Sequence, residues 1–236
     1  ANNINPLYGF FVARAGLGAS ESMRSKLAEY NDPRLSRAFI TKQGTSGKEQ
    51  APGTADNAVY APNGTPEQGT SKYGTSLFMY SISAPTLLLS YHELKFLEAE
   101  ALCRLERDAK SALKDAVVAG LLNAENSFTI SRKELGKTLI NAASSITEAK
   151  AESYFDNTIE AKYTAEPLKT TMTQKYFALW GASGEATESY NDVRRMKGLG
   201  ENFIELKNPN SFPLRCPYGN SDTTTNAEVK AAYGNG

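Results

Sequence analysis

The sequence predicts a mainly α protein in which amphipathic helices pair as hairpins and long irregular loops interrupt them. Three observations carry this reading. From residue 86 to residue 197 apolar residues recur at helical spacing in successive segments. Proline and glycine fall between those segments, as at Pro167 and at Gly181 and Gly184. Nowhere do strand-like and helical runs alternate in the rhythm of a nucleotide-binding α/β sheet. At 236 residues the chain is long enough for one large or two small domains with a real core.

The elements follow in order. The opening ANNINPLYGFF has no initiator Met and no basic start, and it carries Pro6, Tyr8, Phe10 and Phe11 where chain ends are usually polar. It reads as the interior of a longer or processed protein. Residues 21–30, ESMRSKLAEY, have helical composition, and Asn31-Asp32-Pro33 stops the helix because the residue before a proline is pushed out of the α region. From Gly44 to Gly74 the chain is dense in Gly, Pro, Asn, Thr and Ser, with Tyr60 and Tyr73 inside it. A helix is excluded there, and the length marks a functional or loosely ordered loop.

After Pro85 the character changes. In TLLLSYHELKFLEAEALCRLE, Leu88, Tyr91, Leu94, Leu97 or Glu98, Ala101, Leu102 and Leu105 are spaced as the buried stripe of one helix. Asp108 is placed to cap a second helix with Ala109, Ala112, Leu113, Ala116, Val117 and Leu121 on one face, and the short connection makes the two an antiparallel hairpin. Ser131 to Glu134 reads as a capping box that starts a further helix through Leu135, Leu139, Ile140 and Ile146. Helices are expected over 148–163, 168–180 and 186–196. Beyond Gly198 the prolines, asparagines and glycines predict irregular chain.

Composition excludes several functions. Lys plus Arg equals Asp plus Glu at 26 each, so no global charge favours nucleic acid or an acidic membrane surface. No apolar run is long enough to span a membrane. Cys103 and Cys216 are too far apart, in unrelated contexts, to suggest a zinc site or a disulfide framework.

Catalytic signals are weak wherever they occur. His92 is the only histidine and has no second ligand at metal spacing, so it reads as a surface or partly buried helical residue. Arg104 beside Cys103 favours a thiolate, yet no base accompanies it, and packing is the simpler role. The pairs Gly16/Gly18 and Gly198/Gly200 lack the third glycine and the preceding strand of a phosphate loop. Glu98 with Glu100 and Glu201 with Glu205 read as solvated charge rather than as a glycosidase pair. No metal and no cofactor is expected. The chemistry that remains is recognition: Tyr60, Asn63 and Tyr73 are the candidate ligand contacts, because tyrosine faces and amides suit carbohydrate. The alternative is that the tyrosines anchor the loop to the body.

Six segments in order then resemble one family: NPLYGFF, NDPRL at 31–35, SAPTLLLSYHELKFLEAEALCRL, QKYFALWG at 174–181, ESYNDVRR at 188–195 and FPLRCPYGNSDTTTN at 212–226. They are similar to the successive signatures of the SusD/RagB family, nutrient-binding outer-membrane lipoproteins of Bacteroidetes. The resemblance implies tetratricopeptide-like helical hairpins in an α/α superhelix with long irregular loops, although no regular 34-residue repeat is visible. It further implies a non-enzymatic surface protein that captures a glycan and delivers it to a SusC-type TonB-dependent porin. A peptide-binding member of the family, or a protein-interaction scaffold of helix pairs, is the alternative. Members are about twice as long, so the chain reads as the C-terminal half of a single SusD-like region, the lipid anchor lying in the other half.

Within the chain, 1–85 is expected to be loop-rich with a short helix, 86–197 a helical block and 198–236 a C-terminal strap. The motif residues with expected structural roles are Asp32, Arg34, Gln174, Lys175, Trp180, Arg194, Arg195, Arg215, Tyr218 and Asn226. Arg194 and Arg195 are expected to bond helix-end carbonyls and nearby carboxylates, with Trp180 and Phe177 packed behind them. In the strap, Cys216, Gly219 and Asp222 depart from the residue types of the family pattern.

Overall fold

A computed structural model describes residues 4–14, 18–43, 48–50, 60–64, 73–135, 139–140, 144–207 and 218–233. Helices dominate it. Three short ones come first: α1 (Pro6–Arg14), α2 (Glu21–Glu29) and α3 (Leu35–Ala38). The start of α2 is set by Ser20, whose Oγ accepts from the Met23 amide at 3.2 Å, and the chain leaves the helix through Asn31 at φ 49°. Asn tolerates that left-handed conformation, and the turn brings Asp32 and Arg34 inward.

The central block is built from α4 (Tyr91–Arg104), α5 (Lys110–Leu135), α6 (Glu148–Tyr154), α7 (Glu160–Ala165), α8 (Pro167–Leu179) and α9 (Ala186–Gly198). Ser90 caps α4 by accepting from the Glu93 amide at 3.1 Å, and Asp108 accepts from the Lys110 amide at 3.0 Å at the head of α5. The predicted apolar face of α5 is the buried one: Ala109, Leu113, Ala116, Val117 and Leu121 all enter the main core. A π turn over Phe155–Ile159 joins α6 to α7 and keeps both of its apolar ends buried. Pro167 opens α8, where its missing amide costs nothing, and Gly181 at φ 78° turns the chain away after it. A Cβ at Gly181 would stand 2.3 Å from the Phe78 ring.

Helix α8 is buried on nearly every side although much of it is polar. Thr171 and Thr173 donate back to the Pro167 and Lys169 carbonyls at 2.9 and 2.8 Å, so their hydroxyls need no outside partner. Around α8 an aromatic cluster closes the core: Phe177 meets Tyr30, while Trp180 meets Phe39 and Phe78 at centroid distances of 5.2 and 5.1 Å.

Four expectations change. The predicted stripe of α4 is its outer face: Tyr91, Leu94, Leu97 and Leu105 are exposed, as is Leu88 ahead of the helix, while His92, Glu93, Phe96, Ala99 and Glu100 point inward. The face that enters the core carries Glu100, which Arg195 on α9 holds, and His92, 3.5 Å from Glu185, contacts that spacing alone does not register. There is no capping box at Ser131, because α5 runs through it to Leu135 and Ser131 donates to the Ser127 carbonyl at 2.9 Å and to the Leu77 carbonyl. Leu139–Ile140, assigned to that helix, is strand β4 of a small sheet with β1 (Phe39–Gln43), β2 (Lys48–Gln50) and β3 (Thr75–Ser76), in the order β3-β1-β2-β4. Two short helices, α10 (Asn220–Thr225) and α11 (Ala227–Tyr233), replace the irregular chain expected near the end.

Candidate functional site

Two of the sequence motifs meet in the core. Arg34 grips Asp32 with two bonds, Nε to Oδ1 at 2.8 Å and Nη2 to Oδ2 at 2.6 Å, both side chains being buried. Tyr154 donates to Asp32 Oδ2 at 3.2 Å and Gln174 Nε2 donates to the Tyr154 oxygen at 3.4 Å. The Arg34 guanidinium lies 5.7 Å from the Phe177 ring centroid. Burial works against the Arg34 charge, but the Asp32 carboxylate outweighs it and the guanidinium is held above its usual range. Burial next to Asp32 pushes the Tyr154 hydroxyl up, so it stays protonated as a donor. This network fastens the turn after α2 to α6 and α8.

The Arg pair splits. Arg195 Nη2 donates to Glu100 Oε2 and to Asp192 Oδ1, each at 2.8 Å. Glu100 also accepts from Arg104 at 2.7 Å, and Arg104 reaches on to Glu201 at 2.8 and 3.0 Å. Lys175, buried on α8, pairs with Asp192 at 2.8 Å. Burial opposes the Glu100 charge, and the bonds from Arg195 and Arg104 override it, holding the carboxyl below its ordinary value. Arg194 instead lies 5.7 Å from the Tyr190 ring centroid. Arg195 thus bonds carboxylates, while Trp180 packs on Phe39 and Phe78 and Phe177 on Tyr30. Glu100, read from sequence as solvated, is the buried hub of the corner. Its i,i+4 spacing to Arg104 was a visible signal, but the reach from α4 to α9 was not.

The candidate ligand residues sit where the loop returns to α2. Ser20 pairs with Ala61 in an isolated parallel bridge, and the Glu21 amide donates to the Ala61 carbonyl at 3.0 Å. Asn63 Oδ1 accepts from Ser20 Oγ at 2.9 Å and from the Ser22 amide at 3.4 Å, extending the helix cap. Beside it opens a cleft of about 910 Å³ lined by Glu21, Ser22, Ser25, Lys26, Glu29, Pro62, Asn63 and the segment Glu205, Leu206 and Lys207. Burial pulls the Lys26 ammonium below its ordinary pKa, the nearby Glu205 carboxylate acting in the opposite sense. The lining mixes carboxylates, ammonium groups, hydroxyls and an amide, so it can both donate to and accept from a polyhydroxylated ligand.

Tyr60 is half-buried, its ring edge-on to Phe39 at 5.2 Å with Arg24 above it at 5.4 Å. The Tyr73 ring is buried and offers no face to a ligand arriving from solvent. Only Asn63 of the three lines the cleft. A second pocket, about 480 Å³ and apolar, is lined by Leu7, Phe10, Phe78, Met79 and Trp180 among others.

The remaining motif residues lie apart. Asn226 caps α11, accepting from the Glu228 and Val229 amides at 3.1 and 3.3 Å, and Tyr218 is partly exposed ahead of α10. Arg215 and Cys216 lie outside the described residues, as do Gly16 and most of the loop between Gly44 and Gly74. His92, expected to be at the surface or partly buried, is buried, with Nε2 3.5 Å from Glu185. Burial pushes the Cys103 thiol up, in line with a packing role beside Thr171 at 3.6 Å. Among the described residues no His, Cys, Asp and Glu cluster is arranged to hold a metal ion, and no helix is long and apolar enough to cross a membrane.

Residues 1–218 match a SusD-like family model described as "Starch-binding associating with outer membrane". A SusD/RagB family protein from Bacteroides thetaiotaomicron superposes with a TM-score of 0.91 at 63% identity, covering all of this chain and 51% of the other. A SusD homolog from Bacteroides fragilis superposes at 0.63 with 18% identity, over all of this chain and 53% of that one, a likeness of fold alone. The chain thus spans about half the length of these solved relatives. No curated protein matches it.

Proposed function

The chain belongs to the SusD/RagB family, and from that premise we propose that it is part of a cell-surface glycan-binding accessory protein that captures oligo- or polysaccharide and passes it to a SusC-type TonB-dependent porin. The family match over residues 1–218 carries the proposal. The polar cleft beside Asn63 supports it: in this reading Glu21, Glu29 and Glu205 accept from sugar hydroxyls, while Lys26 and Lys207 donate. In this reading the protein recognises and hands over its ligand without changing a covalent bond. It acts at the outer membrane, held there by a lipid anchor elsewhere in the full-length protein. We further propose that 1–85 carries the ligand-facing loops, 86–197 the helical support and 198–236 the strap.

Isothermal titration of soluble polysaccharides against the protein tests the capture step, with Lys26→Ala and Glu205→Ala expected to weaken a saturable signal at least tenfold while leaving the melting temperature in place. Undiminished binding in both variants would remove the cleft from the account. Affinity capture from solubilised outer membranes tests the porin, which should co-purify in stoichiometric amounts. Peptide capture is the second reading, and the apolar pocket beside Trp180 and Phe10 favours it, because a pocket of that lining suits an apolar side chain better than a sugar. Saturable heat with peptide digests and none with any polysaccharide would establish that reading instead.

A further inference from the structure

Asn63 lines the cleft beside α2, and the residue after it is Gly64, exposed and at φ 73°. With no Cβ to crowd it, the Gly64 nitrogen can close on the side chain of the residue before it. That side chain is gripped at one end only. Asn63 Oδ1 accepts from the Ser20 hydroxyl at 2.9 Å and from the Ser22 amide at 3.4 Å, at the N-terminal end of α2, where the helix dipole favours negative charge. Among the described residues nothing accepts from the Asn63 amino group or from the Gly64 amide. The oxygen that would gain charge is therefore held by two donors, while the group that would leave and the nitrogen that would attack are untied.

We propose that Asn63 is a self-modification site, where attack by the Gly64 nitrogen turns the side-chain amide into a carboxylate and the donors from α2 select aspartate as the product. In the first step the Gly64 nitrogen bonds to Asn63 Cγ, the bond from Cγ to Nδ2 breaks, and ammonia departs with the proton that the Gly64 nitrogen gives up. A five-membered cyclic imide remains. Water then opens the ring at one of two carbonyls. Attack at Cγ returns a proton to the Gly64 nitrogen and leaves aspartate in a normal chain; attack at the Asn63 backbone carbonyl reroutes the chain through the side chain as isoaspartate. Ser20 and Ser22 polarise the Cγ carbonyl, so the first outcome wins in the folded protein. The product keeps the cap, because an aspartate oxygen accepts at a helix start as well as an asparagine oxygen does. It also adds a carboxylate to a cleft wall already carrying Glu21, Glu29 and Glu205, whatever the cleft binds. The cleft thus grows more negative as the protein ages.

Peptide mapping by mass spectrometry tests this on the protein incubated at pH 8, with the free peptide VYAPNGTPEQ, residues 59–68, in the same buffer as the unfolded reference. Mapping also keeps Asn63 apart from Asn235, which precedes Gly236. In the folded protein Asn63 should be converted at least tenfold faster than Asn157 and Asn191, whose amino groups are hydrogen-bonded, and aspartate should exceed isoaspartate. In the peptide isoaspartate should exceed aspartate. Ser20→Ala should move the ratio toward that of the peptide, and Ser20→Thr, which keeps the hydroxyl, should hold it. Asn63→Gln, whose longer side chain closes the ring poorly, should end the reaction at this site. Survival of the Asn63 amide in the protein after the peptide has been consumed would overturn the proposal, by showing that the turn keeps the two groups apart. The same product ratio in protein and peptide would overturn it too, by removing α2 from the chemistry; that comparison needs only the parent and stands even if Ser20→Ala fails to fold.

Discussion

Arg195 on α9 holds Glu100 on α4 across the molecule, Nη2 to Oε2 at 2.8 Å, and Glu100 is 5% exposed. The arginine itself is well exposed, so its own charge is worth little; the carboxylate it leaves behind is what matters. Arg195→Ala is expected to lower stability by about 1–3 kcal/mol, because Glu100 would keep only Arg104. Urea denaturation checks this, and a midpoint equal to that of the parent would show that Arg104 alone satisfies the buried carboxylate.

Arg34→Ala should cost more. Both members of its pair are buried, and Asp32 would be left with a single donor side chain, Tyr154. Breaking a buried pair from one side costs about 3–5 kcal/mol. The same denaturation series ranks the two variants, and a smaller loss for Arg34→Ala than for Arg195→Ala would contradict the burial argument.

Two glycines separate packing from chain entropy. A Cβ at Gly184 would stand 2.3 Å from the Leu87 carbonyl oxygen, a backbone atom that cannot rotate away. Gly184→Ala is expected to destabilise by about 1–3 kcal/mol. At Gly198, the last residue of α9, a Cβ meets nothing within 4 Å. There Gly198→Ala should stabilise by about 0.4–1 kcal/mol, since alanine loses less freedom on entering a helix. Melting curves of the two variants should move in opposite directions.

The buried acids beneath α4 predict a pH dependence. Burial first, and then the neighbouring Glu185 carboxylate, push Glu93 up to about 7, with Lys175 pulling the other way. Because the folded state holds the proton more tightly than the unfolded chain, this group's contribution is complete below about 4.5 and is lost as the pH rises through about 7. His92 has the opposite sense. Burial holds it below its usual pKa against the pull of Glu185, with Arg34 adding to the depression, so its contribution is lost on acidification. Glu93→Gln removes only the first effect. Its melting temperature should gain on that of the parent between pH 5 and pH 8, and a constant difference across that range would refute the assignment.

Much of the helical frame was legible because its signals are local. Asp108 and Pro167 mark starts, Asn31-Asp32-Pro33 and Gly181 mark ends, and the face of α5 follows from spacing alone. The ordered motifs likewise pointed to a family before any fold was known. The corner at Glu100, the Asp32–Tyr154–Gln174 relay and the cleft between α2 and Glu205 join residues far apart in the chain, and no local pattern connects them. The segment Leu139–Ile140 shows the same limit, since its strand depends on pairing with Lys48–Gln50.

By itself, then, the sequence determined that the central block is helical, where several of its helices begin and end, and the family to which the chain belongs, because caps, prolines and apolar periodicity act over a few residues. Only the tertiary structure decided which face of α4 turns inward. Periodicity counts apolar side chains, whereas Glu100 is buried because Arg195 pairs with it and His92 because it meets Glu185, both contributed by elements about ninety residues away, and Glu93 goes inward beside Glu185 by holding its proton more tightly.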